Sequence, residues 1–155
     1  MKTLDDFSID EITEYLRNNA TKYFSKDKNI ICCADKAAKY LEGCLSNETE
    51  KEYFGVLFLK PTNEIIKFEI LSEGSLTANY VTIRKIIKKI LNYNADSIVL
   101  CHNHPCGNTE PSMEDILFTR KIIEACEMID SKCLDHIIIG NPGDAYIMSE
   151  NKEVF

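Results

Sequence analysis

The sequence predicts an α/β fold, an α+β-like mixed β-sheet with helices packed on it. Two observations carry this. The strand-like runs Tyr53 to Leu59 and Ile65 to Leu71 flank the turn residues Pro-Thr-Asn-Glu (61–64) and read as a hairpin. Beyond the hairpin, segments of helical and of strand period alternate to the end of the chain. The 155 residues, 45% apolar and 28% charged, suffice for one globular core and do not have the composition of a disordered chain.

The elements follow in order. Ser8 and Glu11 form a capping box ahead of Ile12, Tyr15 and Leu16, and Asn18 and Asn19 end that first helix. A second helix is expected from Asp35 to Leu45, with Ala37, Ala38, Leu41 and Leu45 on one side. Residues 1–45 are too few for an independent core, so they read as a helical N-terminal extension packed on a main domain of residues 46–155. The polar stretch 46–52 connects the two. After the hairpin, Gly74 and Ser75 mark a loop. Tyr80, Ile83, Ile87, Ile90 and Leu91 then give an amphipathic helix over 79–91, broken by Asn92 to Asp96. Ser97 to Cys101 is a short buried strand, 104–111 a loop with two prolines and a glycine, and Ser112 opens a helix to about Ile129. Leu134 to Ile139 is another strand, 141–144 a turn, and Ala145 to Met148 the last strand.

The net charge of -7 opposes non-specific binding to nucleic acid, which depends on neutralising phosphates. Apolar runs are only a few residues long, against the roughly 20 a spanning helix needs, so no membrane role is expected. The start of the chain, MKTLDDFSIDE, is acidic and lacks the apolar stretch of a secretory leader. Seven cysteines without any C-x-x-C pair then read as reduced thiols of a cytoplasmic protein, most of them small core residues.

The chemistry concentrates in HNHPCGNTEPSMED, from His102 to Asp115. His102 and His104 end a strand and, being two apart, share one face, so both imidazoles can converge on one ion. Asp115 lies in the first turn of the next helix and can bring a carboxylate to the same place. Two histidines and one carboxylate leave a fourth tetrahedral position for water and suit Zn2+. The plainer reading makes Ser112 an N-cap and Asp115 a first-turn acid favoured by the helix dipole. The two readings are compatible, because Ser112 can cap while Asp115 reaches a metal.

The spacing H-x-H-x(10)-D, with S-x-x-D inside it, matches the JAMM motif of JAB/MPN metallopeptidases. The wider text resembles the RadC family: "NADSIVLCHNHPCGNTEPSMEDILFTRKI", the strand "CLDHIIIG" and the first strand "EYFGVLFL" all fit, from about Lys28 to Glu150. The resemblance implies a JAB/MPN-type mixed sheet and makes His102, His104 and Asp115 the zinc ligands. It makes Glu52 the general acid/base. Ser112 would bond the water on the metal or help stabilise an oxyanion. Spacing alone does not single out Glu52 from Glu48, Glu50, Glu64 and Glu69, although Glu52 directly precedes an apolar strand. The family usually has Ser where this chain has Cys106, and the match loosens after Tyr146. Longer RadC proteins carry a helix-hairpin-helix region, so the chain resembles the short, single-domain members.

Other constellations are weaker. A Cys/His zinc site built on Cys101 and Cys106 is disfavoured, since Cys101 should face away from the histidines. A nucleobase deaminase would need H-x-E and P-C-x-x-C, and neither is present. Asp135 and His136 could support a metal-bound histidine, but a hydrogen-bonded structural His136 is the simpler reading. Arg84, Lys85, Lys88 and Lys89 form a basic stripe that reads as a solvated helix face, with nucleic-acid contact the sharper alternative. Two functions are therefore expected to compete. One is a zinc-dependent hydrolase, a metalloprotease acting on a peptide or protein substrate. The other is a non-catalytic binding module for DNA or a DNA-repair partner.

Overall fold

A computed structural model describes residues 30–45, 50–74, 81–152 and 154–155. The helix expected from Ser8 to Asn19 lies outside them. In chain order the elements are α1 (Ala34–Leu45), β1 (Tyr53–Leu59), β2 (Ile65–Glu73), α2 (Ile83–Tyr93), β3 (Ser97–Asn103), α3 (Met113–Glu127), β4 (Lys132–Ile139), β5 (Ala145–Ile147) and α4 (Met148–Asn151). The five strands form one mixed sheet in the order β2-β1-β3-β4-β5. β1 runs antiparallel to both β2 and β3, β3 is parallel to β4, and β5 returns antiparallel on β4. The expected α/β architecture, a mixed sheet carrying helices, is the one observed.

Strand alternation divides the core into two layers. Leu57, Leu59, Val99, Cys101, Ile137 and Ile139 face α1, where Ala37, Leu41 and Leu45 are buried. Phe54, Val56, Phe58, Ile98 and Leu100 face the other way, against Ile86 and Ile90 of α2 and Ile122 and Cys126 of α3. β3 is buried along its whole length, as a central strand covered on both faces must be.

Several boundaries differ from expectation: the second strand runs on to Glu73, the third to Asn103, and the fourth begins at Lys132. The helix placed over 79–91 begins at Ile83, because the Thr82 side chain accepts from the Lys85 N–H and caps it there. It ends at Asn94, whose left-handed backbone (φ 48°) closes the last turn. Met148, expected to finish the last strand, instead starts α4. The Asp135 carboxylate accepts from both the backbone N–H and the hydroxyl of Ser149 and pulls the chain into a turn.

Candidate metal centre

The end of β3 sets the site. His102 is fully buried on the α2/α3 side, and Cys101 faces the α1 layer, so the Cys/His alternative built on Cys101 does not form. The His104 N–H donates to the carbonyl of Ile139 (2.9 Å), holding the residue at the mouth of the parallel β3–β4 pair. That is where loops of an α/β sheet build sites. His102 Nε2 and His104 Nε2 approach to 2.9 Å. Asp115 joins them from α3, with Oδ1 3.5 Å from His102 Nε2 and Oδ2 4.0 Å from His104 Nε2. Phe54 stacks along His102 at a centroid distance of 6.5 Å and closes the apolar wall.

Ser112 and Asp115 form a capping box. The Ser112 hydroxyl and N–H both donate to Asp115 Oδ2 (2.6 and 2.8 Å), and Ser112 Oγ accepts from the Asp115 N–H (3.1 Å). Capping and proximity to the histidines thus coexist: the cap fixes Oδ2 and turns Oδ1 toward His102.

Glu52, just ahead of β1, reaches the same space. Phe54 pairs with His102 in the antiparallel β1–β3 register, and that register continued by two residues sets Glu52 beside His104. Carboxylate and ring nitrogens of Glu52, His102 and His104 lie within 4.8 Å of one another, a group able to hold a metal ion. Asn103, pointing to the other face, clamps the backbone around Glu52. Its Oδ1 accepts from the Tyr53 N–H (2.6 Å) and its Nδ2 donates to the Lys51 carbonyl (2.9 Å), while Gly74 N–H donates to the Glu52 carbonyl (2.7 Å). Asn103→Ala should therefore destabilise the fold by about 1 kcal/mol, the cost of losing hydrogen bonds to partly buried backbone groups. It should also loosen Glu52 while leaving both histidines in place. Denaturant unfolding measures the first effect; an unchanged midpoint would show that the clamp is not holding.

The donor set fits a cation. Ligand atoms around a tetrahedral ion at about 2.0–2.2 Å stand roughly 3.3 Å apart; the two histidine nitrogens, 2.9 Å apart, are near that spacing, while Asp115 approaches them with different oxygens, Oδ1 at 3.5 Å from His102 and Oδ2 at 4.0 Å from His104. His104 Nδ1 lies 2.6 Å from the Asn108 carbonyl oxygen, which only accepts, so Nδ1 carries the hydrogen and Nε2 presents a lone pair. Asp115 is itself buried, and a buried carboxylate among ring nitrogens calls for a counter-charge. Of the two carboxylates, Asp115 is buried and Glu52 only partly so, yet it is Glu52 that completes the metal-competent group with the two histidines, and Asp115 is not part of it.

Burial lowers the pKa of His102 from 6.5 to about 4; Asp115 opposes the shift and His104 adds to it. Burial also holds His136 well below its usual value, and the neighbouring His102 and His104 reinforce this. Both rings are neutral at pH 7, the form that binds metal. A histidine whose pKa is lower folded than unfolded contributes stability above about 6.5, and this is lost as pH falls toward the folded value. Chelator-stripped protein should therefore melt earlier at pH 5.5 than at pH 7, by on the order of 1 kcal/mol from His102 alone. Asp135, raised by burial, acts in the opposite sense at lower pH, so the comparison stays above pH 5. Equal melting midpoints would contradict the assigned burial.

Two residues that sequence reasoning undervalued belong to the site. His136 is not merely a satisfied core residue: its Nε2 lies 2.8 Å from His102 Nδ1, and its Nδ1 2.6 Å from Thr119 Oγ1. Its sequence neighbour Asp135 is not its ring's partner; that carboxylate accepts from the His136 backbone N–H and from Ser149. Cys106 is exposed in the loop after His104, and the metal-competent group of Glu52, His102 and His104 includes neither Cys106 nor Asp115. In the basic stripe, Lys85 donates to the Leu71 carbonyl and Lys89 pairs with Glu69.

The profile of the RadC-like JAB domain matches residues 31–153. A UPF0758 protein of Pseudomonas fluorescens (strain Pf-5) is 44% identical over 111 residues, 72% of this chain and 49% of the relative. One from Pseudomonas syringae pv. tomato is 43% identical over 133 residues, 86% of this chain and 58% of the relative. One from Vibrio parahaemolyticus is 42% identical over 116 residues, 75% of this chain and 51% of the relative. The chain spans about half the length of these relatives.

Proposed function

The chain belongs to the RadC-like JAB domain family, and from that premise we propose that it is a zinc-dependent hydrolase of the JAMM type that cleaves a peptide or isopeptide bond. The observation that carries this reading is the convergence of two histidine Nε2 atoms, 2.9 Å apart, with the carboxylates of Asp115 and Glu52 close by. His102, His104 and Asp115 would hold the ion. A zinc ion bound there supplies a Lewis acid that polarises a carbonyl and lowers the pKa of water to about 7.

The chain's own residues do the rest. The Glu52 carboxylate takes a proton from the attacking water and delivers it to the leaving nitrogen. The Asn103 clamp holds the Glu52 backbone at that point. The Ser112 hydroxyl donates to Asp115 Oδ2 and so orients that carboxylate. Phe54 keeps the inner wall of the site dry.

The test is hydrolysis of peptide and isopeptide substrates by the purified protein, with loss of activity on chelation and return on zinc. Protein with about one zinc per chain that cleaves neither class would overturn the hydrolase reading. Recognition of DNA or a repair partner is the competing role. Two of the four basic side chains of α2 bind within the chain, which leaves little surface for phosphates. Among the described residues no helix is long and apolar enough to cross a membrane.

A further inference from the structure

We infer that Thr119 and His136 are positioning residues: a directed chain of hydrogen bonds through them fixes the Nδ1–H tautomer of His102 and so turns its Nε2 lone pair toward His104, Asp115 and Glu52. The inference deepens the metal reading above and rests on it.

The direction of the chain is set at its far end. Thr119 Oγ1 lies 2.7 Å from the Asp115 carbonyl oxygen and 2.6 Å from His136 Nδ1. A hydroxyl has one proton to donate, and a carbonyl oxygen only accepts. Two oxygens 2.7 Å apart without a proton between them would set lone pair against lone pair, so the hydroxyl proton lies on that line. The Met148 sulfur, 3.9 Å away, is a weaker acceptor and does not compete.

The rest follows link by link. His136 Nδ1 must donate to Thr119 Oγ1, so the neutral ring accepts at Nε2. His136 Nε2 is 2.8 Å from His102 Nδ1, which must then carry a hydrogen. The Nε2 of His102 is left as a lone pair, 2.9 Å from the lone pair of His104 and 3.5 Å from Asp115 Oδ1; both ring hydrogens are held at Nδ1 by His136 and the Asn108 carbonyl, so the repulsion between the facing lone pairs is one that only a cation relieves.

The alternative tautomer shows why this matters. With its hydrogen on Nε2, His102 would donate to His104 and join the two rings by a hydrogen bond that excludes a cation. The chain through Thr119 and His136 selects the open arrangement before any ion arrives. Thr119→Val keeps the shape of the side chain but removes the acceptor for His136 Nδ1–H. His136 is then free to move its hydrogen to Nε2, which pushes the hydrogen of His102 onto its own Nε2.

The experiment uses the full chain labelled with 15N-histidine, whose three histidines keep the spectrum simple. Zinc affinity is measured beside it by competition with a chelator. In chelator-treated wild type, His102 and His136 should both show Nδ1–H. Thr119→Val should move His102 toward Nε2–H and weaken zinc binding by roughly 10–100-fold, and Thr119→Ser should restore both. Nε2–H on His102 in the wild type overturns the inference without any variant. If wild type binds zinc and His104→Ala does not, but Thr119→Val keeps wild-type affinity and tautomer, the inference fails and the metal reading stands. If wild type binds no zinc, the metal reading fails, and the inference falls with it.

Discussion

His104→Ala protein, loaded with zinc and desalted, should retain almost none of the roughly one ion per chain expected of wild type. The loss should exceed the roughly 10–100-fold that removal of a supporting partner costs, because a ligand itself is gone. His104 is the better residue to change. Its side chain is partly exposed at the mouth of the site, whereas His102 is sealed between Phe54 and His136. Truncating His102 would open a cavity and orphan His136 Nε2, mixing a folding defect with the loss of a ligand. Equal metal content in wild type and His104→Ala, with both folded, would remove the basis of the metal reading.

Glu52→Gln should keep the ion and the fold and lose roughly 10²–10⁴ in rate on any substrate that wild type cleaves, the range typical of removing a general acid or base. Glutamine preserves the size and a hydrogen bond but cannot accept the proton. The backbone at this position is held by Asn103 and Gly74 through main-chain atoms, which the substitution leaves untouched. Metal content and rate must be read together. A variant that lost its zinc would make Glu52 the carboxylate ligand, a role its place in the group with His102 and His104 allows. A variant with full activity would send the search for the base elsewhere.

The sequence showed clearly what local chemistry decides. β1 runs from Tyr53 to Leu59 as its apolar run predicts, and α3 follows Ser112 because that residue and Asp115 cap each other. The facing of Cys101 away from the histidines followed from alternation alone. What stayed hidden depends on contacts across the sheet. Glu52 could not be told from four other glutamates nearby by spacing, because its place beside His104 comes from the pairing of Phe54 with His102. His136 looked like an ordinary core histidine until the parallel register of β3 and β4 brought its ring to His102. Thr119 carried no signal, since a threonine inside a helix normally has only its own backbone to bond. Met148 was misplaced for the same reason: its turn is shaped by a carboxylate on a different strand.

The spread of the site along the chain also links two equilibria. Glu52 precedes β1, the histidine pair ends β3, Asp115 and Thr119 come from α3, and His136 sits in β4, so the donor atoms meet only in the completed sheet. A denatured chain offers isolated histidines and carboxylates that hold an ion weakly. An ion taken up at this site is therefore a ligand of the native state, and free metal at a hundred times its dissociation constant adds about 2.7 kcal/mol to the unfolding free energy. The same linkage runs in reverse: a substitution far from the ion lowers the apparent metal affinity to the extent that it depopulates the native state.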